Sequence, residues 1–265
     1  LFIHTWWSDT YGTINGVLWT LAVEVQFYVV FPLLWQTFRR APWLTALGMT
    51  AIALWWRVVA RQHTDIYLLQ AIDNLPGYLD IFAAGMVSAY LYVNYGRLTE
   101  RRGVQILGTL VSVAGFVGLV AMLENLFATR TVDQWSTVWQ IVNRTWLGLA
   151  FAAIATGALF GLRFWKWILA NPVTLFLGII SYNLYLYHHV IARLLVTWHV
   201  PPYTTQHPQY DHHWQVTYTW VAFTVAIAQA ALVTYAFERP ILRIPLSWWS
   251  GIVSRLRPAR ALSRP

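Results

Sequence analysis

Apolar residues run through this chain in long blocks rather than alternating with polar ones. Windows long enough to cross a bilayer, about 17–25 residues, fall near 14–36, 43–60, 77–94, 104–123, 138–161, 172–196 and 216–236. In each, apolar side chains cover the whole circumference of a helix, the pattern of a segment buried in protein or lipid on every side. The blocks predict an all-α polytopic membrane bundle of about seven transmembrane helices. Residues 1–245 form its membrane domain, and 246–265 a basic cytoplasmic tail. Pro32, Pro172 and Gly48 fall within or at the ends of windows, where membrane helices tolerate them better than soluble helices do. No internal repeat is visible, so the inverted halves common among secondary transporters have no counterpart in the pattern.

The charged positions orient the windows. One set of connections holds Arg39, Arg40, Arg97, Arg101, Arg102, Arg163, Lys166 and six arginines from Arg239 to Arg264, whereas the other holds only Arg61 and Arg130. The positive-inside rule puts the first set in the cytoplasm and residue 1 outside. The net charge of +8 is then a topology signal that favours anionic lipid, and no nucleic-acid partner is expected. Composition agrees: 11% of residues are charged, against about 25% in ordinary soluble domains. The 17 Trp and 14 Tyr suit aromatic belts at two water–lipid interfaces. With no cysteine, disulfides, thiolate metal sites and a cysteine nucleophile are excluded. The chain opens on Leu1 without a signal-peptide pattern, and the expectation is a fragment of a longer protein.

Polar residues inside the windows are the candidates for chemistry, because intramembrane ionisable groups are functional by default. In "GVLWTLAVEVQFYVVFPLLW", Glu24 lies ten residues into the first window, about 15 Å deep at 1.5 Å per residue. Thr20 and Tyr28 share its helix face at i−4 and i+4. The plain alternative is an acid kept protonated by desolvation and hydrogen-bonded to a neighbouring helix. In "ISYNLYLYHHV", Ser181, Tyr185 and His188 recur at i, i+4 and i+7 and so share one stripe. His188 is eight residues from the outer end of its window, about 12 Å, so it and Glu24 reach similar depths on different helices and could face one cavity. A neutral histidine can exchange a proton near pH 7 with little tuning. Arg57, Arg144 and Arg193 stand near outer ends and are read as snorkelling to the interface. Asp80 reads as a helix-end acid favoured by the N-terminal dipole. The loop "WHVPPYTTQHPQYDHHW" holds His199, His207, Asp211, His212 and His213. It lacks a regular metal-ligand spacing and reads as a solvated, Pro-rich loop with no metal.

Four segments, in order, carry a resemblance. "LWTLAVEVQFYVVFPLL" resembles the Trp-Ser-Leu-x-Val-Glu-x-x-Phe-Tyr signature of acyltransferase family 3, the integral-membrane O-acyltransferases of cell-envelope and other glycans. "LPGYLDIFAAGMVSAYL" is similar to that family's Asp-x-Phe-x-x-Gly-Met helix, and "LGIISYNLYLYHHVI" to its Ile-Ser-Tyr-x-Leu-Tyr-Leu-Trp-His segment. Glu238, Arg239 and Pro240 resemble its Glu-Arg-Pro ending. Together these cover most of residues 14–245. Thr20 stands in place of Ser and keeps the hydroxyl; Val25 stands where Glu is common and His189 where Trp is common. The family's N-terminal spans, with their histidine and Arg-rich cytoplasmic motif, have no counterpart in residues 1–13.

The resemblance implies transfer of an acyl group, acetyl foremost, from cytoplasmic acyl-CoA to a hydroxyl of an envelope glycan or lipid-linked sugar. The setting it implies is the plasma (inner) membrane. Acyl-CoA would be a donor substrate, and no separate cofactor is expected. A sugar hydroxyl is a poor nucleophile until a base takes its proton, and a histidine–carboxylate pair supplies base and orienter. Glu24 and His188 are the catalytic candidates, with Trp19, Thr20, Tyr28, Ser181 and Tyr185 lining the substrate cavity. The alternative from another class is a proton-coupled transporter, in which Glu24 and His188 form the relay. Lacking the family's main histidine, this chain alone is expected to be inactive.

Overall fold

The computed structural model describes residues 2–7, 9–11, 16–63, 65–129, 135–204 and 208–243. Arg130, His207 and the basic tail at 246–265 lie outside the described residues. Among those described there is no strand. The helices are α1 (Leu18–Arg40), α2 (Pro42–Ala60), α3 (Asp65–Ile72), α4 (Leu79–Tyr95), α5 (Arg102–Ala128), α6 (Trp135–Phe160), α7 (Arg163–Leu169), α8 (Pro172–Thr197) and α9 (His212–Leu232), with short 3₁₀ turns between them. A π-helical turn, Val233–Glu238, continues α9 into a last turn at Arg239–Leu242.

All seven apolar windows land on helices, but five are long and apolar enough to cross a membrane: α1, α2, α5, α8 and the run from His212 to Leu242. The other two windows fall on α4, which is 17 residues long, and on α6, which carries Gln140, Asn143 and Arg144. By length and composition, then, five spans are supported among the described residues rather than about seven. Side chains such as Val29, Val93 and Trp220 are more than 70% exposed, an apolar surface far beyond what water-soluble monomers present. It is the surface of a multi-pass membrane protein.

The chain divides into two compact units, residues 1–171 and 172–265. In the first, α1 packs on α2, α2 on α4, α4 on α6 and α6 on α5. Val23, Phe27, Met49, Leu75 and Ala83 make its principal buried cluster, and the Phe27 and Phe82 rings stack 3.8 Å apart. Between α5 and α6 small residues replace bulk: a Cβ on Gly157 would stand 2.5 Å from both the Gly108 oxygen and the Ser112 nitrogen. Backbones can come this close only where side chains are minimal, the usual basis of helix association in lipid. Ser112 Oγ donates across that contact to the Ile154 carbonyl at 3.0 Å.

The second unit is built on α8 packed against α9. Tyr218 Oη donates to the Ala192 carbonyl at 2.9 Å, and Asn183 reaches Thr234 and Glu238, so the two helices run antiparallel. Pro172 begins α8 and Asp211 caps α9, its carboxylate accepting from the His213 and Trp214 amides. Proline and aspartate suit those positions because the first-turn N–H groups lack helical partners.

Candidate functional site

One group of candidate residues lies on α1. Ala22, Val23 and Phe27 point into the core, while Glu24 and Tyr28 are exposed and Thr20 is half-buried. Thr20 Oγ1 donates to the Val17 carbonyl at 3.0 Å. Glu24 is exposed on the unit and makes no hydrogen bond or ion pair among the described residues. Tyr28 is 64% exposed. Trp19 packs on the Tyr78 ring, 5.7 Å between centroids. Because α1 begins at Leu18, Glu24 lies six residues into the helix, about 9 Å rather than 15 Å. Gln26, two residues on, is spent on structure: its Nε2 donates to the Phe2 carbonyl at 2.8 Å, and its Oε1 accepts from Trp6 Nε1 at 3.3 Å.

A separate group lines a groove of about 470 Å³ between α8 and α9, made by Ser181, Tyr185, His188, Tyr218, Thr219 and Phe223. The stripe expected from the spacing is therefore a real wall. Ser181 Oγ donates to the Gly178 carbonyl at 2.8 Å. His188 Nδ1 stands 2.6 Å from the Tyr185 carbonyl. A carbonyl can only accept, so Nδ1 carries the proton and, in the neutral ring, Nε2 keeps a free lone pair. The Tyr185 and His188 ring centroids are 5.6 Å apart. His188 lies nine residues before the end of α8 at Thr197, about 13 Å in. Glu24 belongs to the first unit and His188 to the second.

Asn183, inside the same motif, was not singled out by the sequence reading. Its buried amide donates to Thr234 Oγ1 at 2.9 Å and to Glu238 Oε2 at 2.6 Å. The "ISYNLYLYH" and Glu-Arg-Pro segments are thus bonded to each other through a π-helical turn, a local irregularity that often marks functional regions.

Two arginines correct the sequence reading. Arg57 and Arg144 do not snorkel; they are 1% and 3% exposed. Arg57 donates to Asp80 Oδ2 at 2.5 Å and to Thr145 Oγ1 at 2.7 Å, while Thr145 donates to the same Asp80 oxygen at 2.6 Å. This triad joins α2, α4 and α6. Asp80 also accepts from the Ile81 amide at 3.0 Å, which agrees with its reading as a helix-end acid. Arg57 Nη1 is buried with no partner among the described residues. Arg144 bonds Asp73 at 3.2 Å and the Ile72 carbonyl at 2.6 Å, and it lies 4.0 Å over the Tyr78 ring. Tyr11 and Tyr78 also donate to Asp73, at 2.8 and 3.2 Å. Burial raises the Asp73 carboxyl above the usual range, against the opposing pull of Arg144 and these hydrogen bonds. Burial and the neighbouring Asp73 charge likewise raise the Tyr11 hydroxyl. The signal available in sequence was an even match of two acids, Asp73 and Asp80, to two intramembrane arginines. Arg193 is exposed, as snorkelling requires. No group of three or more His, Asp or Glu among the described residues could share a metal ion.

The fold is all-helical among the described residues, with helices long and apolar enough to cross a membrane. Residues 1–248 match the family described as "Acyltransferase domain", and the chain belongs to that family. It is similar to Nodulation protein 10 of Rhizobium leguminosarum bv. viciae, with 25% identity over 247 residues, covering 91% of this chain and 59% of that protein. The chain thus spans about three fifths of the length of that relative. No solved structure matches it.

Proposed function

We propose that this chain is part of a plasma-membrane O-acyltransferase. It moves an acyl group, acetyl foremost, from cytoplasmic acyl-CoA to a hydroxyl of an envelope glycan or lipid-linked sugar. The observation that carries this reading is His188: its ring lines the groove between α8 and α9, with Nδ1 bound to the Tyr185 carbonyl. Family membership supports the same class of chemistry. In the reaction, a base takes the proton of the sugar hydroxyl as that oxygen attacks the thioester carbonyl. Collapse of the tetrahedral intermediate forms the ester and expels the CoA thiolate, which takes up the proton. His188 relays that proton. Glu24 orients the base or stabilises its positive charge; an unpaired carboxylate facing hydrocarbon would cost about 2.5–3.5 kcal/mol, so it is kept for a polar partner. Trp19, Thr20, Tyr28, Ser181 and Tyr185 line the acceptor's path. In this reading residue 1 lies outside and the C-terminus in the cytoplasm, an orientation supported by the bias of basic residues among the connections.

The test is acetyl transfer to a glycan acceptor by the full-length protein, of which this chain is a part, in nanodiscs. Glu24→Gln keeps shape and removes charge, and it is expected to lower turnover about 10²–10⁴-fold at normal membrane levels. His188→Gln is expected to do the same. Unchanged turnover in both variants would refute the assignment.

A further inference from the structure

Pro201 to Thr204, Pro208, Asp211 and the first turns of α9 line a second cavity of about 510 Å³. Its walls are the Tyr203 and Trp214 rings and three prolines, and Asp211, His213, Thr204 and Thr217 supply its polar atoms. The cavity is built, not draped. Trp214 Nε1 donates to the Pro201 carbonyl at 3.1 Å, pinning the loop to the first turn of α9. The Tyr203 ring stacks on His199 at 4.6 Å and meets Trp214 edge-on at 5.7 Å and 84°. Asp211 gives Oδ1 to the His213 and Trp214 amides, at 2.9 and 3.3 Å, and its Oδ2 accepts no hydrogen bond among the described residues.

Position gives the cavity its meaning. Trp214 stacks flat on Tyr218, 4.8 Å between centroids, and Tyr218 is a wall of the groove that holds His188. The cavity and the catalytic groove therefore lie on the two sides of one aromatic pair, a single helical turn apart on α9.

We infer that this cavity is an acceptor subsite that binds a neutral sugar unit and hands the adjoining unit to the His188 groove. The inference rests on the acyltransferase reading above and adds the class of sugar. A sugar ring presents an apolar C–H face and a rim of hydroxyls. Aromatic rings placed beside a few fixed polar groups match that division. The free Asp211 oxygen accepts from hydroxyls, the Thr204 hydroxyl and His213 both donate and accept, and Thr217, whose hydroxyl donates to the His213 carbonyl at 2.9 Å, keeps its acceptor lone pairs. The same carboxylate repels uronates and phosphorylated sugars, a built-in discrimination against anionic glycans.

The probes are glucose and N-acetylglucosamine trimers, with trigalacturonate as the anionic counterpart, titrated onto the purified chain in nanodiscs by saturation-transfer NMR. Neutral trimers are expected to bind and trigalacturonate not to. Asp211→Asn retains a good helix cap while removing the charge, and should weaken neutral binding roughly ten- to hundred-fold. Tyr203→Ala should weaken it at least as much, while Tyr210→Ala, on an exposed ring outside the cavity, should not. Unfolding midpoints and far-UV spectra identify any variant that fails to fold. Equal binding of trigalacturonate, no binding of any trimer, or full neutral binding by both cavity variants would overturn the inference. The two claims separate in the acylation assay. If sugars are acylated and both variants keep the parental acceptor KM, the subsite fails and the acyltransferase stands. If neutral trimers bind through Asp211 and Tyr203 but the full-length protein never acylates any of them, the subsite stands and the acyltransferase reading fails.

Discussion

Replacing Asp80 by leucine would strand the Arg57 guanidinium inside the protein. The two side chains are 2% and 1% exposed, with 2.5 Å between Oδ2 and Nη2, so no water can substitute for the lost carboxylate. Arg57 would keep the Ala53 carbonyl at 3.2 Å and the Thr145 hydroxyl, with Nη1 already unpartnered. Breaking a buried pair from one side typically costs about 3–5 kcal/mol, because the remaining charge is uncompensated. At roughly 2–4 °C per kcal/mol for a domain of this size, the unfolding midpoint should fall by about 6–20 °C. The reverse single variant, Arg57→Met, should cost less. It leaves a carboxyl that Thr145 and the Ile81 amide still bond, and a carboxyl can be held neutral by a proton whereas a guanidinium cannot. The double variant Arg57→Met/Asp80→Leu removes both desolvation penalties and should return to within about 2 kcal/mol of the parent. Tryptophan fluorescence on a thermal ramp in detergent, with 17 reporters in the chain, reads all four proteins. A drop below 2 °C for Asp80→Leu, or a double variant less stable than both singles, would refute the argument.

Three further outcomes are expected. Burial raises the Asp73 carboxyl in the folded state, so its contribution to stability is complete below the ordinary carboxylate range and is lost as pH rises through the raised value. The midpoint of the parent minus that of Asp73→Asn should therefore grow as pH is lowered from 8 to 5, and a difference that shrinks would contradict the burial of Asp73. Gly157→Ala drives a methyl against backbone at 2.5 Å and should cost about 1–3 kcal/mol. Gly85→Ala, whose Cβ meets nothing within 4 Å, should stabilise by about 0.4–1 kcal/mol; equal midpoints for the two variants would sink the close-packing account of α5 and α6. Glu238→Gln keeps an acceptor for the Asn183 amide and should retain stability and turnover, whereas Glu238→Leu should lose both; turnover abolished in a stable Gln variant would make Glu238 catalytic instead.

The helices were legible because a bilayer demands long apolar runs: all seven windows land on helices, five of them long and apolar enough to cross a membrane. The helix faces of Glu24 and of Ser181, Tyr185 and His188 were legible because 3.6-residue spacing is local. What escaped reading depends on partners far along the chain. Arg57 and Asp80 are 23 positions apart, and Arg144 and Asp73 are 71 apart, so each arginine taken singly looked like a cheap snorkeller. Asn183 was invisible for the same reason, since its partners stand 51 and 55 residues away. The start of α1 was placed early because apolar residues precede Leu18 without joining the helix. That error put Glu24 too far from the start of its helix but left its face unchanged.

The polar residues of this chain fall into two physical kinds, and the division bears on which of them do chemistry. Arg144, Asp73, Asp80, Asn183 and Thr234 are buried and bonded to partners on other helices or turns. In a bilayer, where helices gain little by hiding apolar surface from one another, such bonds fix which helix lies beside which. Glu24, His188 Nε2 and Asp211 Oδ2 belong to the other kind. They carry strong hydrogen-bonding capacity and satisfy none of it within their own units. A group left that way in hydrocarbon would cost several kcal/mol, so each must meet water, substrate or another polar surface. Locked groups can change only by breaking the fold, and so make poor proton carriers. Open groups held on rigid helices can change protonation or partner at little structural cost. His188 combines both properties in one ring, with Nδ1 tied to the backbone to fix its orientation and Nε2 left free to act.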